Sequence, residues 1–133
     1  MAGETSLATL LRSMSPHLNE GEYVFCTLRD GQLPAGLAIV GSFREQEGLT
    51  VILERSLAEQ AGFSFDYVAA WITLNVHSAL EAVGLTAAFA TALGKAGISC
   101  NVIAGYYHDH LFVGQADAQR AMHVLRDLAA NAE

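Results

Sequence analysis

The sequence predicts an α+β protein, and three observations predict it. Residues 67–130 alternate strand, helix, strand, strand, helix. Residues 20–64 carry three further strand-like runs and one short helix. The chain of 133 residues is 52% hydrophobic and only 16% charged, enough apolar material for a sizeable core.

The first element expected is a helix over Thr5–Met14, where Leu7, Leu10, Leu11 and Met14 share one stripe. Ser15-Pro16 should end it, because proline lacks the amide a helix needs. Glu22–Leu28 reads as a strand apolar on both faces, and Gly31–Pro34 as a loop. Leu37–Arg44 and Leu49–Glu54 read as two strands of a hairpin turned by Glu45-Gln46-Glu47-Gly48. Ser56-Leu57-Ala58-Glu59 matches a capping box, in which the serine hydroxyl and the glutamate each satisfy a free backbone amide. Gly62 should stop that helix after two turns.

In the second half Tyr67–Val76 alternates. Val68, Ala70, Ile72, Leu74 and Val76 fall on one face, and Tyr67, Ala69, Trp71, Thr73 and Asn75 on the other. Leu85, Ala88, Phe89, Ala92, Leu93 and Ala96 mark a helix closed by Gly97. Ile98–Ala104 and Asp109–Val113 are strands joined tightly at Tyr107-His108. A last helix begins at Asp117, with Ala118, Ala121, Met122, Leu125, Leu128 and Ala129 inward. This βαββα order is the ferredoxin-like βαββαβ without its final strand. The missing strand would cover an edge, and the three strands of the first half are the expected donors. The boundary falls near Gly62–Asp66, giving units of 1–64 and 65–133 that share a continuous sheet.

Several function classes are disfavoured by composition. The net charge is −7, and Arg12, Arg29, Arg44, Arg55, Lys95, Arg120 and Arg126 are scattered, so no basic cluster serves nucleic acid or an anionic membrane. No apolar stretch approaches bilayer-spanning length, and Met1-Ala2-Gly3-Glu4-Thr5 lacks a secretory pattern, so a cytoplasmic protein is expected. Cys26 and Cys100 lie in separate apolar runs without a His, Cys or basic partner nearby, as buried reduced thiols do. Tyr23, Phe25, Tyr67 and Trp71 are aromatics on apolar strands, suited to core packing or a subunit interface.

Chemistry-bearing groups were weighed against plainer roles. His108 and His110 at i, i+2 could bind a metal, but no third ligand stands at a defined spacing; a hydrogen-bonded hairpin is the better reading, and no metal is expected. His77-Ser78 lacks the surroundings of a hydrolase nucleophile. Gly94-Lys95-Ala96-Gly97 ends a helix, where the dipole repels anions, so no phosphate-bearing cofactor is expected. An enzyme site around Tyr106, His108 and Asp109 ranks last, and the expectation is that the protein is not an enzyme.

The runs Val68–Leu74, Ala82-Val83-Gly84-Leu85-Thr86, Ile98–Ile103 and Asp109-His110-Leu111-Phe112-Val113 resemble an ACT domain. The whole chain is similar to small bacterial proteins of two tandem ACT-like units, related to the cytosolic arginine sensor of animal cells and the regulatory end of aspartokinases. The likeness covers residues 67–130 specifically and residues 20–64 more loosely. It implies ferredoxin-like units, an antiparallel sheet with helices on one face, and a regulatory ligand, typically an amino acid, bound between units. Carried onto this sequence, the ligand loop matches Ser78–Leu85, with Gly84 before the helix, and the facing strand matches Asn101-Val102-Ile103.

The candidate binding residues are therefore Glu81, Ala82, Val83, Gly84, Leu85, Asn101, Val102 and Ile103. Gly84 would permit close backbone approach, the helix amides would meet a carboxylate, and Glu81 an ammonium. The alternative function is a dimerisation or docking module that binds nothing small. A homodimer is expected in either case, since the chain carries more apolar residues than two small half-domains bury alone.

Overall fold

In a computed structural model, which describes residues 6–76 and 83–132, the elements run α1 (Leu7–Ser13), β1 (Ser15–Leu18), β2 (Tyr23–Leu28), β3 (Gly41–Arg44), β4 (Leu49–Glu54), α2 (Arg55–Ala61), β5 (Val68–Asn75), α3 (Leu85–Lys95), β6 (Cys100–Ala104), β7 (Asp109–Gly114) and α4 (Ala118–Ala130). The chain folds into two compact units. Gly21–Ala69 forms one, and the segments up to Glu20 and from Ala70 onward together form the other.

In the second of these, β5, α3, β6, β7 and α4 follow the expected order, and the strands lie as β1-β5-β7-β6. That is the ferredoxin-like arrangement, with β1 in the place of the final strand. The donor of that strand differs from expectation: it is none of the three strands read in the first half, but the four residues after α1. Ser15, Pro16, His17 and Leu18 pair antiparallel with Asn75, Leu74, Thr73 and Ile72. Pro16 ends the helix as expected, yet it also serves in a strand. It can do so because β1 pairs only with β5 among the described strands, and an outer strand tolerates the missing amide.

One apolar cluster holds this unit together. Ile72 and Leu74 of β5 and Leu111 and Val113 of β7 face Phe89 and Leu93 of α3 and Ala121, Met122 and Leu125 of α4. Leu10, Leu11 and Met14 of α1 belong to the same cluster, with Leu10 fully buried. Apart from Leu7, which is exposed, the helical stripes read from sequence are the ones turned to the core, because a period-3.6 pattern is local.

The Gly21–Ala69 unit repeats the strand order in reduced form. β3-β4-β2 is completed by the first two residues of β5, with Val68 and Ala69 opposite Val24 and Tyr23. Residues 29–40, where a first helix would stand, hold none. The predicted strand at Leu37 begins only at Gly41, although the Val40 amide already bonds to the Ile52 carbonyl at 2.7 Å. The Glu45–Gly48 turn is as read, closed by reciprocal Glu45 and Gly48 backbone bonds. Val24, Cys26, Leu28, Val51, Leu53 and Ala58 make its core.

The capping box is not formed. Glu54 is the N-cap of α2, and no side chain caps it; Ser56 lies inside the first turn. The helix starts two residues early, where the Arg55 amide bonds to the Glu22 carbonyl at 2.9 Å. Glu59 then sits one turn from Arg55 and pairs with its guanidinium at 3.5 Å. Gly62 stops the helix as expected, at φ 76°.

Replacing Leu10 by Ala should cost about 2–5 kcal/mol, since α1 is part of a core and not an appendage. Urea unfolding would measure it, and a loss under about 0.5 kcal/mol, the range of surface substitutions, would show α1 to be dispensable.

Candidate functional site

Of the residues carried over for ligand binding, Leu85 opens α3 and Asn101, Val102 and Ile103 lie on β6, two elements that pack together in the same unit. Glu81 and Ala82 lie outside the described residues, as do His77 and Ser78. Gly84 is the N-cap of α3, with φ 98° and no side-chain cap bond, and its carbonyl accepts from the Ala88 amide at 2.9 Å. A side chain there would be strained by the backbone, and its Cβ would fall 3.1 Å from the Leu7 side chain of α1. Glycine at 84 thus answers to local geometry as well as to any ligand. Val83 is 83% exposed, whereas Leu85 is buried in the core.

Among the described strands β6 is the outer one of its unit and pairs only with β7. Its register puts Asn101 opposite Phe112, Val102 opposite Leu111 and Ile103 opposite His110. Val102 therefore faces the helices and packs on their core, while Asn101 and Ile103 face the other way. The three residues do not act as one set: two are available from the open side and one is not.

That second face holds a polar network centred on His110. The Trp71 indole donates to His110 Nδ1 at 3.1 Å, and the Thr73 hydroxyl lies 3.1 Å from the same nitrogen. Asn19 fixes both neighbours, donating from Nδ2 to Thr73 Oγ1 at 3.0 Å and to the Trp71 carbonyl at 3.2 Å. Phe112 stacks on Trp71 with centroids 6.2 Å apart. Because Nδ1 accepts from the indole, the neutral ring carries its proton on Nε2. Burial, and then the neighbouring His108, lower the His110 pKa, while Asp109 opposes them. Burial raises the Asp109 carboxyl against both histidines.

Sequence reasoning placed Trp71 and Thr73 on one face but missed their link to His110. The alternation within Asp109–Val113 points His110 away from Leu111, which is the available signal; that β7 lies beside β5 was not in it. His108 turns elsewhere, with Nδ1 3.3 Å from the Val76 carbonyl. The two histidines are thus committed to different partners. Among the described residues no three His, Cys, Asp or Glu side chains are grouped to hold a metal.

Models of the ACT domain match residues 2–70 and 67–127. The chain belongs to the ACT-domain family. ACT domains are regulatory and non-catalytic. A crystal structure of a protein of unknown function from Vibrio cholerae, described as a possible transport protein, is 54% identical, with a TM-score of 0.84 over 96% of this chain and 99% of that one. A protein from Agrobacterium tumefaciens is 18% identical, with a TM-score of 0.65 over 87% of this chain and 89% of its own. The regulatory subunit of aspartate kinase from Thermus flavus is 9% identical, with a TM-score of 0.61 over 86% and 95%. Comparison with curated protein sequences finds no match.

The two ACT matches overlap at residues 67–70, and β5 begins within this overlap. Its first two residues end one ACT unit, and the remainder opens the other. Chain order and compactness divide the protein differently, because residues 6–20 pack with the C-terminal ACT unit. Among the described residues no helix is long and apolar enough to cross a membrane.

The His110 network carries a pH signature. Protonating Nδ1 would set two N–H donors against each other, so the folded chain resists a proton that the unfolded chain accepts near 6.5. The stability tied to neutral His110 is complete above that value and is lost as pH falls through the ring's lowered pKa. Asp109 acts oppositely: its contribution is full below 3.8 and is lost as pH rises through its raised pKa. Urea unfolding between pH 7 and 5 should show stability falling with pH, and His110→Asn should flatten that slope. An unchanged slope in the variant would assign it to other groups.

Proposed function

We propose that this ACT protein is a non-catalytic regulatory module of the bacterial cytoplasm that binds an α-amino acid or close analogue as a homodimer. The observation that carries the reading is the placement of Asn101 and Ile103 on the outer, partly open strand of an ACT sheet, whose adjoining helix α3 begins on amides that no side chain caps. Those amides would take the carboxylate, where the helix dipole adds to several donors. Glu81 or β6 carbonyls would take the ammonium, and Asn101 would orient the side chain. The set at issue remains Glu81, Ala82, Val83, Gly84 and Leu85 with Asn101, Val102 and Ile103, Val102 supporting the strand from beneath. Kinship in fold with aspartate kinase regulatory subunits supports the regulatory part of the reading. Cys26 and Cys100 are free, and burial raises both thiol pKa values, which suits a reducing compartment.

A second reading, an interaction module without a small ligand, is favoured by Tyr106 and Tyr107. They stack edge to face at the β6–β7 turn and stay 69% and 60% exposed.

Calorimetry against the amino acids tests the first reading. One of them should bind, and Glu81→Ala should weaken it by about 1–3 kcal/mol. Asn101→Ala should weaken it as well, by removing the group that orients the side chain. Gly84→Val is a poor probe, since φ 98° and Leu7 would tax the fold. No binding at millimolar concentration would leave the interaction module standing. The homodimer, with Tyr67, Trp71 and the outer strands as candidate contacts, is tested by light scattering; a clean monomer mass at micromolar protein would rule it out.

A further inference from the structure

The Gly21–Ala69 unit holds a concavity of about 510 Å³ that the amino-acid reading leaves unused. Three stretches of chain build it. β2 contributes Phe25 and Thr27, the β3–β4 hairpin contributes Glu45 and Thr50, and the connection from α2 to β5 contributes Phe65 and Asp66. Thr27 and Thr50 are opposed across the ladder, and so share the face turned away from the apolar core of the unit.

These groups are held in place. The Thr50 hydroxyl donates to the Glu45 carboxylate, fixing one wall. Gly48 packs so close to the end of β2 that a Cβ there would lie 2.9 Å from Thr27 Oγ1 and 2.6 Å from the Leu28 carbonyl, so the turn is seated against Thr27. Phe65 already carries a cation: the Arg55 guanidinium lies 5.7 Å from its ring centroid. The charge of Arg55 is met by Glu22 at 3.2 Å and Glu59 at 3.5 Å, leaving the two carboxylates of the concavity to act outward.

The chemistry of the lining selects its ligand. Two carboxylates, hydroxyls and phenyl rings surround the space, and no Lys, Arg or His lines it. An anion would meet like charge on both sides. A cationic nitrogen with several N–H donors would find an acceptor at each wall, hydroxyls beneath and an aromatic surface beside it. We propose that this concavity binds a small organic cation, an alkylammonium or alkylguanidinium, between Glu45 and Asp66. The site is separate from the amino-acid site and stands without it.

Amide-resolved NMR titration of the full chain with n-butylamine, n-butylguanidine and n-butanol tests this. Both cations should shift the Thr27, Thr50 and Asp66 amides saturably, and the neutral alcohol should not. Tighter binding of the guanidine would assign the carboxylates as a fork for a planar cation, and of the amine as a cage for a point charge; either result supports the site. Asp66→Asn and Glu45→Gln, both at exposed positions, should each weaken binding at least tenfold while the remaining spectrum is unchanged. Equal shifts with butanol, unsaturable shifts spread over surface carboxylates, variants that bind as the wild type does, or shifts confined to residues 83–85 and 101–103 would each overturn it.

Discussion

The four-residue pairing of β1 with β5 is the constraint on which the larger unit depends. A strand buried in a sheet must satisfy the backbone groups on both edges, and an unmet amide or carbonyl costs as much as a lost hydrogen bond. β5 has β7 on one side, and β1 supplies what the βαββα order lacks. The same short strand brings α1 onto α3 and α4, and its continuation places Asn19 where it fixes Trp71 and Thr73. Core closure and the orientation of the His110 network both follow from one pairing.

How far the sequence was legible depends on what each signal averages over. α3 and α4 were read closely, because three or four apolar positions at helical spacing are a local pattern that packing seldom reverses. β1 was invisible. It is four residues long, half-buried on alternate positions, and contains a proline whose strongest meaning is the end of a helix. Ser56 misled for a related reason: a capping box is a local preference, and a backbone bond from Arg55 to Glu22, 33 residues away, outweighed it. Leu37–Val40 has strand-like composition but joins the ladder only at its end, and composition does not record which residues find a partner.

The same division runs through the candidate site. Alternation separated Val102 from Asn101 and Ile103 in principle, but strand order was needed to show that β6 is outermost. The link between His110 and Trp71 spans 39 residues and depends on β5 and β7 being neighbours, which no local pattern encodes. Likeness to the ACT family supplied that order for the C-terminal unit. The N-terminal unit keeps the strand order and drops the first helix, yet its residues also match an ACT model.

The location of residues 6–20 also bears on how the chain is made. They leave the ribosome well before their partners: their strand partner begins at Ile72, and their helical partners α3 and α4 end at Lys95 and Ala130. The Gly21–Ala69 unit can close as soon as its own residues are out. Residues 6–20 must wait until α4 has been made, with Leu10, Leu11 and Met14 uncovered. Its late docking is the closure of a loop of more than fifty residues, an entropic cost that grows only slowly with length but must be met before any contact repays it. In the interval this segment is the stretch most exposed to capture by a chaperone or by the same segment of another nascent chain.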